Sequence, residues 1–550
     1  MTKFSMVTHR SSMIGTRTRV EDSCESGLCP ICIADCPVFC EVSKSALRGR
    51  EVLYPLREYF GNSTAGTPKD FGFSYGDFQI QFEVRGAQGL SEVHEDKVIF
   101  PNADISTKWG NIPQKLPYVI AGLGSTNVAK NNWDGLAIGA ALAGISITVG
   151  ENVVGMDPNA KFSNTAKYPK VYDTEDMKYR VQKFREFWDG EYGDIIVQKN
   201  VEDTRLGVFD YVSSKLDVTS LEIKFGQGAK AIGGEVRLNS LERAKLLQQR
   251  GYLVIPDPSD PDVQEDWKAK LIPDFERHSR VGLSTTNEIL EEIDKIRSNG
   301  TKNLFIKTGA YRPSATAWIV RLGVVGKVDG MTFDGAGGGT GMSPVSMMNE
   351  GSIPTPYLEA LVVGCLDMIK RKTPSAKIPT IAIAGGIASE TQSIKALAIG
   401  APYVKCIAMA RAPITAAMKS KYIGEVIQRK ETNPAILNSL GFPSDKKPES
   451  LTLSEAFVEY DKLKRKYNNG KTIPPSAVGV YTYFSSKLGT GLKQLLAGIR
   501  KFKLDLLSRD DIACISDRAI KVCNTWDLGI KSQEDLDMEL VKKEIYSGNY

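Results

Sequence analysis

One unit recurs along the middle of the chain: a short apolar or β-branched run, an exit of Gly, Ser or Thr, then residues spaced for an amphipathic helix. Tyr118 to Leu123 leads through Gly124-Ser125-Thr126 to a helical pattern from Trp133 to Ala143. Ile145 to Val149 ends in Gly150-Glu151-Asn152, and Ile195 to Lys199 precedes a helical run near Gly207 to Leu216. Ser220 to Lys224 and Asn303 to Thr308 follow, the second with a helix over Ser314 to Arg321. A run reaching Asp334, another over Ile381 to Ala384 and a last over Ala401 to Ala410 complete the series. About seven or eight such units are enough to close a (β/α)8 TIM barrel, whose chemistry lies at the C-terminal ends of the strands.

Within that series Gly330-Met-Thr-Phe-Asp334-Gly-Ala-Gly-Gly-Gly-Thr340-Gly-Met-Ser-Pro344 stands out, with five glycines between Gly335 and Gly341. Each glycine costs conformational entropy unless positive φ or a close approach repays it, so something is expected to lie against this loop. Gly385-Gly386 forms a second such exit before a helix, where backbone N–H groups make a ready phosphate site. At another strand end Lys224, Gln227 and Lys230 surround Gly226 and Gly228. An amine inside a buried strand must be paired or functional, which singles out Lys224. Glu151, directly after its strand, reads either as a site carboxylate or as a loop-capping acid.

At 550 residues, 42% apolar and 25% charged, the chain can bury one large core with appendages. The net charge of +5 is spread out, so the electrostatic footprint of a nucleic-acid binder is missing. The run Lys462 to Lys466 reads as a solvated helix face. Met1 to Met6 begins no signal-peptide h-region, and no apolar stretch is long enough for a bilayer, so a cytoplasmic protein without membrane contact is expected. Three parts are expected: a Cys-rich module over 1–70, the barrel over 71–430 and a helical extension over 431–550, with helices from Ser454 to Tyr467 and Leu488 to Leu507. Phe78 to Val84 alternates at strand period, and Asp157 to Asp194 reads as a polar insertion.

Five of the nine cysteines crowd one segment: Cys24, Cys29, Cys32, Cys36 and Cys40. Thiols this close in sequence pair poorly as disulfides and suit a metal. Zinc sites usually bring two separated knuckles, whereas one continuous wrap with a Pro after Cys36 is nearer to iron-sulfur ligation, which is placed ahead of zinc. Four of the five would hold one 4Fe-4S cluster. Cys365, Cys406, Cys514 and Cys523 are scattered and read as buried small hydrophobes.

Ile223-Lys-Phe-Gly-Gln227-Gly-Ala-Lys230, Gly338-Gly-Thr-Gly-Met-Ser-Pro344 and Ala384-Gly-Gly386 together resemble the FMN-binding synthase domain of the glutamate synthase family, over roughly residues 110–430. The resemblance implies a barrel that holds FMN. It puts the phosphate near Gly385, Gly386, Lys405 and Cys406, and Gly122, Ser125, Gln227, Lys307, Gly338, Gly339 and Thr340 along the cofactor. It implies that Lys224, Gln227 and Lys230 face the flavin or an oxo-acid carboxylate, and that Glu151 is the acid near a substrate imine. The sequence departs from the family in three places. There is no amidotransferase cysteine at the start, no three-cysteine loop after Cys406, and Gly337 stands where many glutamate synthases have aspartate.

The expected function is therefore that of an FMN-dependent oxidoreductase acting on an amino acid or imino acid such as that formed from 2-oxoglutarate. Electrons would come from ferredoxin or a reductase subunit through the N-terminal cluster, and ammonia from a separate amidotransferase subunit or from solution. A homo-oligomer is expected. A non-redox, flavin-dependent isomerase and an electron-relay subunit of a larger complex are the alternatives.

Overall fold

The computed structural model describes Ala46 and residues 69–547, apart from 164–167, 227, 229–231, 233–234, 283, 340–342, 444 and 468–470. Its centre is a closed barrel of eight parallel strands. They are β1 (Tyr118–Leu123), β2 (Ser146–Val149), β3 (Ile195–Lys199), β4 (Ser220–Lys224), β5 (Asn303–Thr308), β6 (Gly330–Asp334), β7 (Thr380–Ala384) and β8 (Val404–Met409), each hydrogen-bonded to the next and β8 to β1. The helices α1 (Trp133–Ala143), α2 (Glu175–Phe187), α3 (Val208–Leu216), α4 (Thr286–Ser298), α5 (Pro313–Val325), α6 (Thr355–Lys372), α7 (Glu390–Ile399) and α8 (Arg411–Gln428) follow the strands in turn. The (β/α)8 barrel expected from the recurring unit is the fold observed.

Strand residues alternate between two cores, because successive side chains leave a strand on opposite faces. Ile120, Ile147, Val197, Ile223, Ile306, Phe333, Ile383 and Ile407 face outward into the large core shared with the helices. Val119, Ala121, Ile196, Phe305, Ala382, Ala384, Cys406 and Ala408 form a separate cluster inside the barrel. A hairpin of Thr107–Trp109 and Ile112–Gln114 stoppers the N-terminal end. Its Trp109 ring stacks on Phe305 at 4.8 Å, and Gln114 exchanges hydrogen bonds with Ser146 on β2.

Several segments differ from the sequence expectations, among them the helix expected over Ser454 to Tyr467, which breaks at Phe457 between Leu453–Ala456 and Tyr460–Lys466. The alternating run Phe78 to Val84 is a strand only over Phe78–Ile80, because its antiparallel partner, Ile512–Cys514, runs out opposite Ile80. Beyond it Phe82 and Val84 are exposed, at 66% and 82%. The polar insertion contains a two-stranded ribbon (Lys161–Ser163 with Lys170–Asp173) and all of α2. Its buried Arg180 hides that helix from a hydrophobicity pattern: the guanidinium donates to the carbonyls of Leu123 and Gly124 and pairs with Asp176 at 2.9 Å. The helix expected over Leu488 to Leu507 ends at Gly498, and the chain beyond it bridges to Gln88 and Asp104 through Lys501 and Lys503.

The C-terminal segment is tied to the barrel by small residues. Helix Pro475–Tyr481 lies on α1, where a Cβ at Gly135 or Gly139 would stand 2.6 Å from the Cβ of Ser476 or Val480. A three-stranded antiparallel lobe of Glu235–Leu238, Leu253–Ile255 and Phe275–His278, with the last strand central, is inserted between β4 and α4. No helix of the described residues is long and apolar enough to cross a membrane.

Candidate active site at the barrel mouth

The inward positions near the strand ends divide the mouth into two halves. β3, β4, β5 and β6 supply Gln198, Glu222, Lys224, Lys307, Thr332 and Asp334, whereas β7, β8 and β1 supply Ala382, Ala384, Ala408 and Ala121. One wall is thus charged and the other is made of methyl groups. Small side chains leave width that Leu or Phe would fill, and an apolar wall facing a few convergent polar groups is a usual lining for a small-molecule site.

Lys224 and Lys307 are register partners on adjacent strands, so two ammonium groups rise side by side. Burying both requires counter-charges. Lys224 Nζ lies 2.6 Å from Glu151 Oε1, and Lys307 Nζ lies 3.8 Å from Asp334 Oδ2. Between them Glu222 is fully buried and accepts a hydrogen bond from Gln198 Nε2 at 2.5 Å. Burial pushes its carboxyl above the usual range, against the opposing pull of Lys307, Gln198 and Lys224. The Oε1 of Gln198 is buried and has no hydrogen-bond partner among the described residues.

The glycine loops pack on one another, which answers what lies against them. A Cβ at Gly337 would stand 2.7 Å from the carbonyl carbon of Gly385, and one at Gly228 would meet Gly335 O at 1.7 Å. Ser352 Oγ donates to Gly228 O, and Thr355 Oγ1 donates to Gly385 O at 2.7 Å. Gly385 and Gly386 have φ of +114° and +85°, open only to residues without a Cβ at low cost. The aspartate that many glutamate synthases carry at position 337 has no room in this packing.

Below Glu151, the Oδ2 of Asp203 accepts the backbone N–H groups of Asn152 at 3.0 Å and Asn200 at 3.3 Å. Burial pushes this carboxyl to about 7; the two backbone bonds pull it down, and the nearby Glu151 and Glu202 push it up. Glu202 itself is held by both oxygens on Arg280.

Of the residues singled out from sequence, Glu151, Lys224, Lys307, Gly338, Gly385 and Gly386 come together at the mouth. Gly122 sits against the Gln198 amide, with a Cβ there only 2.8 Å from Nε2. Ser125 lies at the β1 exit and Gly339 in the central glycine loop. Gln227, Lys230 and Thr340 fall outside the described residues, as do Cys24, Cys29, Cys32, Cys36 and Cys40. Lys405 and Cys406 lie elsewhere. They lie in the first half of β8, away from the mouth: Lys405 Nζ pairs with Asp505 at 2.8 Å, and Cys406 is buried inside the barrel, where burial pushes its thiol up. Gln198, Glu222, Asp334 and Asp203 were missed. The signal for the first three was the one applied to Lys224, a polar side chain at an inward position of a buried strand. Among the described residues no group of three or more His, Cys, Asp or Glu is placed to hold a metal ion.

Residues 278–418 match the family described as the conserved region in glutamate synthase. The match covers this segment of the chain. It carries β5 to β8, and with them Lys307, Asp334, the central glycine loop and Gly385-Gly386; Glu151 and Lys224 precede it. No curated protein matches the chain. Among solved structures, a flavocytochrome b2 double mutant with pyruvate bound aligns at 12% identity and a TM-score of 0.44, covering 90% of this chain and 88% of that one. A lactate oxidase from Pediococcus acidilactici aligns at 11% identity and 0.40, covering 82% and 89%. (S)-mandelate dehydrogenase, a monotopic membrane protein, aligns at 13% and 0.40, covering 84% and 96%.

Proposed function

We propose that the chain is an FMN-dependent oxidoreductase of the glutamate synthase type, acting between an amino acid and its imino or oxo acid. The observation that carries this reading is the in-register pair Lys224 and Lys307, set on a charged wall opposite a wall of alanines. The donor set fits a flavin: paired cations for a ring that gains negative charge, an unpartnered buried amide oxygen at Gln198 that could accept from it, and glycines at the β7 exit, where barrels of this kind commonly hold phosphate. Bound FMN would supply the hydride chemistry. The chain's own residues then have separable tasks. Lys307 stabilises negative charge at the mouth, held upright by Asp334. Lys224 offers a cation to a substrate carboxylate, and Glu151, its resting partner, is the acid placed to hold or pass a proton beside it. The glycine loops, packed backbone to backbone, leave the β6 and β7 exits without side chains that would block a cofactor.

By the same proposal, Cys24, Cys29, Cys32, Cys36 and Cys40 form an iron-sulfur port that takes electrons from ferredoxin or a reductase subunit, and a separate amidotransferase or free ammonia supplies nitrogen. The test is a visible spectrum of anaerobically purified full-length protein with flavin, iron and sulfide counts. Chemically reduced protein is then mixed with 2-oxoglutarate and ammonia. One FMN per chain and reoxidation by that mixture is the expected result. Colourless protein that FMN does not restore would sink the flavin assignment, and iron-free yellow protein would sink the electron port alone.

A further inference from the structure

Glu151 is aimed by its neighbour. Asn152, the next residue, is left-handed at φ +64°, a conformation that Asn tolerates better than most residues with a Cβ and that its surroundings fix here. Two contacts do so, and a third anchors the carboxylate that makes the first. The Asn152 N–H donates to Asp203 Oδ2 at 3.0 Å, the Tyr252 hydroxyl of the inserted lobe donates to Asn152 Oδ1 at 3.2 Å, and Asn200 N–H reaches the same Asp203 oxygen at 3.3 Å. One carboxylate oxygen, on a residue 1% exposed, therefore ties the exit of β2 to the exit of β3. The Glu151 that results spans to Lys224 on β4 at 2.6 Å.

We propose that Asp203 is a positioning residue whose ionisation fastens Glu151 onto Lys224, so that losing its charge frees Lys224 for an anionic substrate. Two effects act in the same direction. An ionised carboxylate is the stronger acceptor for the Asn152 and Asn200 N–H groups, and it repels the Glu151 carboxylate toward the lysine. The other groups facing Asp203 do not reverse this. Glu202 on its own helix is occupied by Arg280; Tyr252, facing from the lobe, is kept neutral by burial; and Arg277 and Arg250 act on that Tyr252. The claim about substrate rests on the proposed function, whereas the claim about the Asp203 proton does not.

The test uses full-length protein and the variants D203N and E151Q. Without any ligand, the melting temperature is followed between about pH 5 and pH 8. A buried acid whose proton is held up to about pH 7 stabilises most when protonated, so wild-type protein should lose stability relative to D203N as pH rises through neutrality, by several degrees. E151Q should keep that pH-dependent difference from its own D203N double variant. A difference independent of pH overturns the proposal. With FMN bound, the spectral titration with 2-oxoglutarate should give a Kd that weakens about fivefold from about pH 6 to pH 8 in wild-type protein and stays flat in D203N and in E151Q. A D203N profile that follows wild type also overturns it. Protein that binds no FMN defeats the proposed function, and the melting measurement then decides Asp203 by itself.

Discussion

Lys307 pairs with Asp334 and exerts the strongest opposing charge on the buried Glu222, and this makes the mouth sensitive to single atoms. Replacing it with Met would leave Asp334 and the buried Glu222 without their nearest cation, and breaking such a buried arrangement costs about 3 kcal/mol. K307M should therefore melt several degrees lower and bind FMN at least about tenfold more weakly, checked by calorimetry and by flavin fluorescence. Glu222 should behave in the opposite way. Its carboxyl is raised by burial, so the stability it contributes is complete below the ordinary carboxylate range and is lost as pH rises through its elevated value in the fold. E222Q keeps the hydrogen-bonding shape without the charge. It should match wild type in acid and gain on it toward neutral pH in a series of urea titrations, and a constant gap across pH would contradict the burial-driven shift. These residues were partly legible. The position of Lys224 within a buried strand announced it, and Glu222 two residues earlier carried the same signal, yet which counter-charge meets which amine depends on strands far apart in sequence.

At the scale of elements, the recurring strand and helix patterns gave nearly every barrel unit, because the strands are buried on both faces and most helices carry an apolar inner face. The exception is α2, whose inner face includes Arg180. A guanidinium that satisfies two carbonyls and an aspartate is as much a core residue as a leucine, but its composition reads as surface. The contact of α1 with Pro475–Tyr481 follows the reverse logic, since its glycines pass for weakness in a helix and are in fact the surface on which the second helix rests. G139V would force a side chain into Val480 and should lower stability by about 2 kcal/mol in a denaturant titration, as overpacking of a close helix contact does. W109A removes the ring stacked on Phe305 and opens the stoppered end, which should cost about 4 kcal/mol.

The whole molecule is held together by its flanks. The strand Phe78–Ile80 pairs with Ile512–Cys514, and the buried Tyr75 hydroxyl donates to Glu359 on α6 at 2.9 Å. A chain ending at residue 430 would expose α1 and strip the partner from the first described strand. It should fail to give a cooperative melt, while the full chain melts cooperatively. The amino-acid sequence by itself determined the barrel, the identity of its glycine loops and the lysines at its strand ends, because alternation, glycine placement and buried charge are local properties of a segment. Only the tertiary structure decided that the two glycine loops pack on each other, that Lys405 and Cys406 lie away from the mouth, and that Asp203 accepts the backbone N–H of Asn152 beside Glu151. Those outcomes follow from barrel closure, which sets the register between segments that no local pattern relates.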